Sequence, residues 1–227
     1  MPKTLGINEA FFKKWSAEMA YILGFFSADG CLTINPRSSH YIEFSCNDKD
    51  VLEKIKRALK SDHKIGGRKR VNPNWKKSYR LQIGSKKMFN DLVKFGFTVN
   101  KTETVSLPKI PKKYFADYLR GYFDGDGCIN YGYYHYKDRR AKKYHILFRL
   151  VCKNKKYLID LSKQIKNLVD TKGKNLFAHG NAFGLSYSTK DSLKILNFIY
   201  NKPTIYLTRK FKNSNQAIKN YYKLVDR

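Results

Sequence analysis

The chain has 227 residues, and its 46 Lys and Arg against 18 Asp and Glu give a formal net charge of +28 at pH 7. Hydrophobic residues make up 42% of the sequence, which is enough for a packed core and excludes a disordered polyelectrolyte. So large a positive charge costs stability through self-repulsion, and it therefore points to a polyanionic partner.

Several function classes lack their sequence signatures. No apolar run approaches the roughly 18 residues of a membrane span, and the N-terminus lacks the apolar core of a signal peptide, so we expect an intracellular protein with no membrane partner. The patterns GxGxxG, GxxxxGKS/T, GxSxG and HExxH are absent, which disfavours nucleotide binding, serine-triad chemistry and zinc-protease chemistry. No CxxC pair supports a zinc site, and free thiols are expected at Cys31, Cys46, Cys128 and Cys152.

Hydrophobic periodicity predicts the element order αββαββα twice, in an α+β fold with antiparallel sheets. The first copy opens with a helix that Ser16 caps and that runs to about Ala28, and its later elements are expected at 31–36, 40–47, 49–60, 64–71, 78–84 and 85–95. In the second copy Pro111 is expected to be the first helical residue, and later elements are expected at 128–136, 143–152, 154–169, 173–179, 182–188 and 189–200. A terminal helix is predicted over Asn213–Val225. Each sheet should have one apolar face and one polar, basic face.

Two copies of one motif organise the chain. Ala20–Gly30 (AYILGFFSADG) recurs 97 residues later as Asp117–Gly127 (DYLRGYFDGDG), and two further blocks match downstream in the same order. We therefore predict a first repeat at residues 1–101, a connector at 102–113 and a second repeat at 114–227. Two fused copies are expected to mimic a homodimer and to be related by a pseudo-two-fold axis.

Small residues recur one helical turn apart in both motifs, as Gly24 with Ala28 and Gly121 with Gly125. A glycine inside a helix costs on the order of 1 kcal/mol relative to alanine, so its presence asks for a reason. Small residues at this spacing let two helix backbones approach closely. The two motif helices are therefore predicted to pack against each other.

Each motif ends in Asp-Gly, at Asp29-Gly30 and Asp126-Gly127. A single Asp-Gly is usually only a helix C-cap, but an acid at this end of a helix meets the negative end of the helix dipole. Two such helices packed side by side would bring two carboxylates together, and like charges at close range need a cation. Oxygen ligands select Mg²⁺ or a similar hard metal. A metal held by paired carboxylates in a basic chain is typical of phosphodiester cleavage.

These segments, Ile22–Gly30 and Leu119–Gly127, resemble the two motifs of the monomeric LAGLIDADG homing endonucleases. The resemblance extends over nearly the whole chain. It implies two pseudo-symmetric αββαββα repeats, whose saddle-shaped antiparallel sheets straddle the DNA major groove and pack through two central motif helices. It also implies that the chain cuts both strands of a long double-stranded DNA site, acts as a monomer and is encoded either in an intron or by a free-standing gene.

The resemblance further implies roles for individual residues. Asp29 and Asp126 would bind the catalytic metal, with the backbone carbonyls of Ala28 and Gly125 as further candidate ligands. Mg²⁺ is the expected cofactor, Mn²⁺ is expected to substitute, and Ca²⁺ is expected to support binding without cleavage. Basic or polar residues around the metal are expected at Lys101 and Lys210, with Asn47 and Lys153 as secondary candidates. Ser27 departs from the family pattern where the second copy has Asp124, and we interpret that position as serving helix packing.

Side chains on the polar sheet faces are expected to read DNA, because a two-stranded ribbon fits the major groove. The candidate readers of the first copy are Thr33, Asn35, Arg37, Tyr41, Glu43, Ser45, Arg68, Arg70, Arg80 and Gln82. Those of the second copy are Asn130, Lys143, His145, Arg149 and Ser186. Since the two sets differ, the target should be asymmetric.

Two other functions remain open on the sequence. The chain could be a maturase that binds intron RNA, or a DNA-binding regulator built on an inactive nuclease scaffold. Retention of both motif aspartates weighs against the inactive regulator. The protein is expected wherever its DNA target resides, in a bacterial or phage-infected cytoplasm or in an organelle.

Overall fold

The computed structural model describes residues 5–68, 74, 76–99, 106–135 and 142–225. Backbone contacts divide the chain into two compact units. The first unit is Met1–Gly125 with Thr204–Leu207, and the second is Asp126–Pro203 with Thr208–Arg227. No helix among the described residues combines the length and apolar character that a membrane crossing needs.

The first unit contains one antiparallel four-stranded sheet with helices on its apolar face. Its helices are α1 (Ala17–Asp29), α2 (Lys49–Ala58), α3 (Lys86–Lys94) and α4 (Phe115–Asp126), of which α4 contributes all but its last residue to this unit. Its strands, in spatial order, are β1 (Gly30–Ile34), β2 (His40–Cys46), β4 (Tyr79–Gly84) and β3 (Ile65–Gly67).

Local sequence explains these elements. Ser16 caps α1, because its hydroxyl oxygen accepts a hydrogen bond from the Met19 backbone N–H at 3.0 Å. In β2 the residues alternate, and Ile42 and Phe44 are fully buried on the face that α2 covers. The core of this unit lies between that face and one side of α2, where it buries Val51, Leu52 and Ile55.

The second unit repeats the arrangement. Its strands, in spatial order, are β5 (Gly127–Tyr134), β6 (Lys143–Cys152), β8 (Ala182–Tyr187) and β7 (Asn175–His179), all antiparallel. Its helices are α5 (Lys155–Val169), α6 (Thr189–Ile199) and α7 (Thr208–Val225). The apolar face of β6 and one side of α5 form the core, with Ile146, Phe148, Leu150, Leu158, Leu161 and Ile165 fully buried.

The predicted α+β fold with two αββαββα repeats is confirmed, and the differences lie at element ends. Pro111 is not the first helical residue, because its ψ of 135° is extended; it precedes a short 3-10 turn at Lys112–Tyr114 that leads into α4. Helix α7 begins at Thr208, five residues before the predicted start at Asn213. Its buried stripe consists of Lys210, Ser214 and Ala217, which a hydrophobic pattern does not detect.

Candidate active site and nucleic-acid interface

The two motif helices, α1 and α4, are in backbone contact at their glycines. A Cβ added to Gly24 would collide with the carbonyl oxygen of Tyr118, and a Cβ added to Gly121 would collide with the carbonyl oxygen of Tyr21. The contact is reciprocal, because the same motif positions meet from both sides. This close approach is the reason for the two helical glycines, as their spacing predicts.

In a second reciprocal contact, a tyrosine of each helix forms a hydrogen bond with a polar residue of the other helix. The Tyr21 hydroxyl donates to Asp124 Oδ2 at 2.7 Å, and the oxygens of Tyr118 and Ser27 are 2.8 Å apart. Since Ser27 donates its own proton to the Leu23 carbonyl oxygen at 2.9 Å, Tyr118 is the donor to Ser27. Asp124 also accepts from the Leu207 N–H at 2.7 Å. These bonds support our interpretation that the Ser27 and Asp124 positions serve helix packing.

A buried arginine, which the sequence analysis did not single out, completes this part of the first unit. Arg120 is 1% exposed, and its Nε donates to the Ile205 carbonyl oxygen at 2.7 Å. A terminal nitrogen of the same guanidinium lies 2.5 Å from Asp117 Oδ1, and the guanidinium lies 5.5 Å from the centre of the Tyr21 ring. Arg120 and Asp124 together therefore hold the 204–207 segment against α4.

The two tyrosine bonds provide a matched pair of variants. Tyr21→Phe should lower the free energy of unfolding by about 1.5–3 kcal/mol, because it removes a donor to a buried carboxylate. Tyr118→Phe should cost only about 0.5–1.5 kcal/mol, because Ser27 is neutral and keeps its bond to Leu23. Denaturant unfolding of both variants measures the difference. A larger loss for Tyr118→Phe would contradict this account of the helix pairing.

The motif acids lie at the ends of their helices. Asp29 is the last residue of α1 and is half-buried, and Asp126 is the last residue of α4 and is exposed. A Cβ on Gly125 would stand 3.3 Å from Asp29 Oδ2 and would collide with the Ala28 side chain, so the glycine before Asp126 leaves space beside the Asp29 carboxylate. Carboxylate oxygens that solvent can reach are ligands that Mg²⁺ prefers. In the described ranges, no three His, Cys, Asp or Glu side chains are grouped as ligands of one metal.

Of the two predicted lysines, one can be placed. Lys210, in α7, is 6% exposed, and its Nζ donates at 2.6 Å to the carbonyl oxygen of Gly127, the residue after Asp126. Lys101 lies outside the described residues. Asn47 and Lys153 are both exposed and directly follow β2 and β6. The structure therefore brings Lys210 to the end of the second motif.

The polar face of the first sheet is centred on Glu43. Its carboxylate forms ion pairs with Arg68 and with Arg80, the latter at 3.6 Å, and it accepts hydrogen bonds from Ser45 Oγ at 3.2 Å and Gln82 Nε2 at 3.4 Å. Five of the predicted readers are thus one connected cluster.

The remaining predicted readers of this sheet lie toward the β1–β2 turn. Thr33 and Tyr41 are cross-strand partners on the same face. Asn35 accepts a hydrogen bond from the Ser39 backbone N–H at 2.8 Å, and Arg37 is exposed in the turn itself. Arg70 lies outside the described residues.

The polar face of the second sheet has a different composition. Arg149 pairs across the strands with Ser186, and its guanidinium lies 5.2 Å from the centre of the Phe177 ring. Its Nε is buried and has no hydrogen-bond partner among the described residues. Burial, assisted by the charge of Lys143, lowers the pKa of His145, which favours a neutral imidazole at pH 7. Asn130 and Lys143 are exposed on this face.

Phe177 is a residue of this face that the sequence analysis missed. Its ring covers Gly184, its cross-strand partner, where a Cβ would collide with the ring. An aromatic side chain directly opposite a glycine in neighbouring strands is the signal that could have placed it.

Comparison with known proteins bears on the family and the fold of the chain. Residues 16–95 match the family model of the LAGLIDADG-like domain. The fold is that of the LAGLIDADG meganucleases. The family match covers the first of the two motifs, and the likeness of fold extends over nearly the whole chain.

Three solved meganucleases illustrate the likeness. I-AabMI bound to uncleaved DNA has 18% identity and a TM-score of 0.59, with 91% of each chain covered. I-LtrWI bound to target DNA has 16% identity and a TM-score of 0.57, covering 96% of this chain and 90% of that one. I-SmaMI bound to an uncleaved DNA target in the presence of calcium ions has 11% identity and a TM-score of 0.62, covering 92% and 93%.

A curated relative matches part of the chain. It is an uncharacterized protein of Methanocaldococcus jannaschii that is 29% identical over 119 residues. The match covers 50% of this chain and 40% of that protein, so the matched region spans about two fifths of the relative's length.

Proposed function

We propose that the chain is a site-specific endonuclease that hydrolyses both strands of double-stranded DNA with a divalent metal ion. The observation that carries the proposal is that each motif helix ends in a solvent-accessible aspartate, Asp29 or Asp126, in a chain with the LAGLIDADG meganuclease fold. A formal charge of +28 suits a polyanionic substrate.

Asp29 and Asp126 are the proposed metal ligands. Their oxygens fit Mg²⁺, and the backbone carbonyls of Ala28 and Gly125, one residue earlier in each helix, are further candidate ligands. The bound metal would activate water and stabilise the leaving oxygen. Mn²⁺ should replace Mg²⁺, while Ca²⁺ should support binding without cleavage.

Lys210 is proposed to stabilise the charge that develops on the scissile phosphate. Its ammonium lies 2.6 Å from the Gly127 carbonyl oxygen, one residue beyond Asp126, so it is held next to the proposed metal ligand. Lys101 is proposed for the same role in the first repeat, because it follows the same family pattern. Asn47 and Lys153 are proposed as secondary residues at the ends of equivalent strands.

The polar faces of both sheets are proposed to bind one long, asymmetric site. Each repeat, 1–101 and 114–227, would read one half of it, and a chain with both motifs would act as a monomer. Support for asymmetry comes from equivalent positions of the two sheets. Glu43 faces Cys31 and Gln82 across the strands, whereas Arg149 faces Cys128 and Ser186.

Selection from a randomised duplex library tests this function. The library is incubated with the protein in Mg²⁺ or in Ca²⁺. The cleaved ends and the intact duplexes that the protein retains are then sequenced separately. We expect one long asymmetric consensus, cut on both strands with Mg²⁺ and retained intact with Ca²⁺.

The other results of this selection distinguish the alternatives. Retention of a consensus without cutting in Mg²⁺ or Mn²⁺ would replace the endonuclease with a DNA-binding regulator. If the library yields neither a cleaved nor a retained consensus, the proposal is refuted. Binding to structured intron RNA would then be tested. A perfect palindrome as the best site would contradict the asymmetric target.

A further inference from the structure

Glu43 is an unusual member of the proposed DNA-reading face. It is an acid on a surface that should meet phosphates, and its side chain is only 8% exposed, whereas those of Arg68 and Arg80 are 49% and 45% exposed. The carboxylate therefore lies at the base of the cluster, and the two guanidinium groups extend past it toward solvent.

The acceptor oxygens of Glu43 are already engaged. Oε1 accepts from Arg68 and from Ser45 Oγ, and Oε2 accepts from Gln82 Nε2 and lies 3.6 Å from a terminal nitrogen of Arg80. A buried carboxylate with this many donors is poorly placed to accept a hydrogen bond from a cytosine amino group. Each guanidinium has five N–H donors in a planar fork and uses only part of them on Glu43.

We infer that Glu43 is a positioning residue for DNA recognition, which holds Arg68, Arg80 and Gln82 in one arrangement and does not itself read a base. The inference rests on the proposed function, since it requires this sheet face to meet DNA. An arginine whose fork is already oriented loses less conformational freedom when it forms a bidentate contact with guanine O6 and N7. The ion pairs with Glu43 supply that orientation before DNA arrives.

The inference predicts an unusual combination of effects for Glu43→Gln. Discrimination should fall by roughly 10-fold or more at the base pairs that the arginines read, because each good bidentate contact contributes about that much or more. Affinity for non-specific duplex should stay the same or rise, because a negative charge near the phosphates has been removed. A variant that merely damaged the sheet would lose both kinds of binding.

The test compares binding profiles in Ca²⁺, measured against every single base-pair change in the target that the library selection supplies. Arg68→Ala and Arg80→Ala locate the base pairs that each arginine reads, and Glu43→Gln should lose discrimination at those same pairs. At the base pairs that Arg68 reads, the double variant of Glu43→Gln with Arg68→Ala should lose little more discrimination than Arg68→Ala alone. The reason is that Glu43 acts there through Arg68. Glu53→Gln is the matched control and should leave the profile unchanged, since it makes the same substitution at a half-exposed glutamate of α2, the helix that covers the opposite face of this sheet.

Each outcome decides the inference. An unchanged Glu43→Gln profile, or a loss confined to one base pair that neither arginine variant affects, would overturn it. If Glu43→Gln fails to fold, Glu43→Asp replaces it, because the shorter side chain keeps the charge but no longer extends to all four partners. This variant should also lose discrimination at the base pairs that the arginines read. Absence of any sequence-selective binding by the unaltered protein would overturn the proposed function itself, and the inference with it.

Discussion

Asp126→Asn should abolish double-strand cleavage at the selected target while leaving specific binding in Ca²⁺ within a few-fold of the unaltered protein. The substitution keeps the shape of the side chain but removes the charge of a proposed metal ligand. We expect the cleavage rate to fall by at least about 10³-fold, since such metal-assisted stabilisation amounts to several kcal/mol. Single-turnover cleavage and a binding titration, on the same labelled duplex, measure the two effects separately.

The stability of this variant separates a chemical role from a structural one. Asp126 is exposed at the C-terminal end of α4, where a negative charge is unfavourable by about 0.3–1 kcal/mol, so Asp126→Asn should leave the melting temperature unchanged or slightly raised. Asp170→Asn is the matched control, because Asp170 follows α5 and its side chain is 95% exposed. Joint loss of binding and of thermal stability in Asp126→Asn would instead assign the carboxylate a structural role.

Asp29→Asn should reproduce the loss of cleavage, because the two motifs repeat the same acid at the same position. The acid two residues earlier in α4 should behave differently. Asp124 is buried and accepts from Tyr21 and Leu207, so its replacement by asparagine should act on stability. Double-strand cleavage by either Asp29→Asn or Asp126→Asn at the unaltered rate would show that the proposed pair of ligands is wrong.

The sequence predicted the parts of the fold that depend on local patterns. Alternation in β2 and β6 identified the buried faces, the hydroxyl of Ser16 identified the start of α1, and the repeat of Gly24 at Gly121 identified the helix pair. Each of these signals arises from residues close together in the chain or from comparison of the two copies. Periodicity and capping are local physics, so they can be recognised without the folded structure.

Partners that are distant in the sequence explain what was missed. A charged residue within a helix normally faces solvent, but burial of Arg120 is tolerated because the Ile205 carbonyl oxygen, 85 residues away, accepts a hydrogen bond from its Nε. Glu43 was predicted to read DNA from the polar sheet face, and its burial there was not foreseen, because it depends on Arg68, 25 residues away. The start of α7 was missed for a related reason, since its buried stripe includes Lys210, whose acceptor is Gly127.

Gly121→Ala should destabilise the protein by about 3 kcal/mol or more, at the upper end of what overpacking usually costs. In an isolated helix the same change would stabilise by about 1 kcal/mol, because alanine is the better helix former. Here the change in stability has the opposite sign, because the added Cβ would collide with the Tyr21 carbonyl oxygen and lie 2.8 Å from the Phe25 backbone nitrogen. Both are backbone atoms, which cannot move aside as the end of a flexible side chain could. Thermal unfolding should therefore show a fall of several degrees in Tm.

Two further glycines make the test specific. Gly24→Ala should cause a similar loss, because the same collision occurs with the Tyr118 carbonyl oxygen on the opposite helix. Gly66→Ala is the control, since no atom lies within 4 Å of its added Cβ, and its effect should stay within about 0.5 kcal/mol. The pairing of α1 with α4 requires both helical glycines to be sensitive and Gly66 to be tolerant. A Gly121→Ala variant as stable as the unaltered protein would mean that the two backbones do not approach this closely.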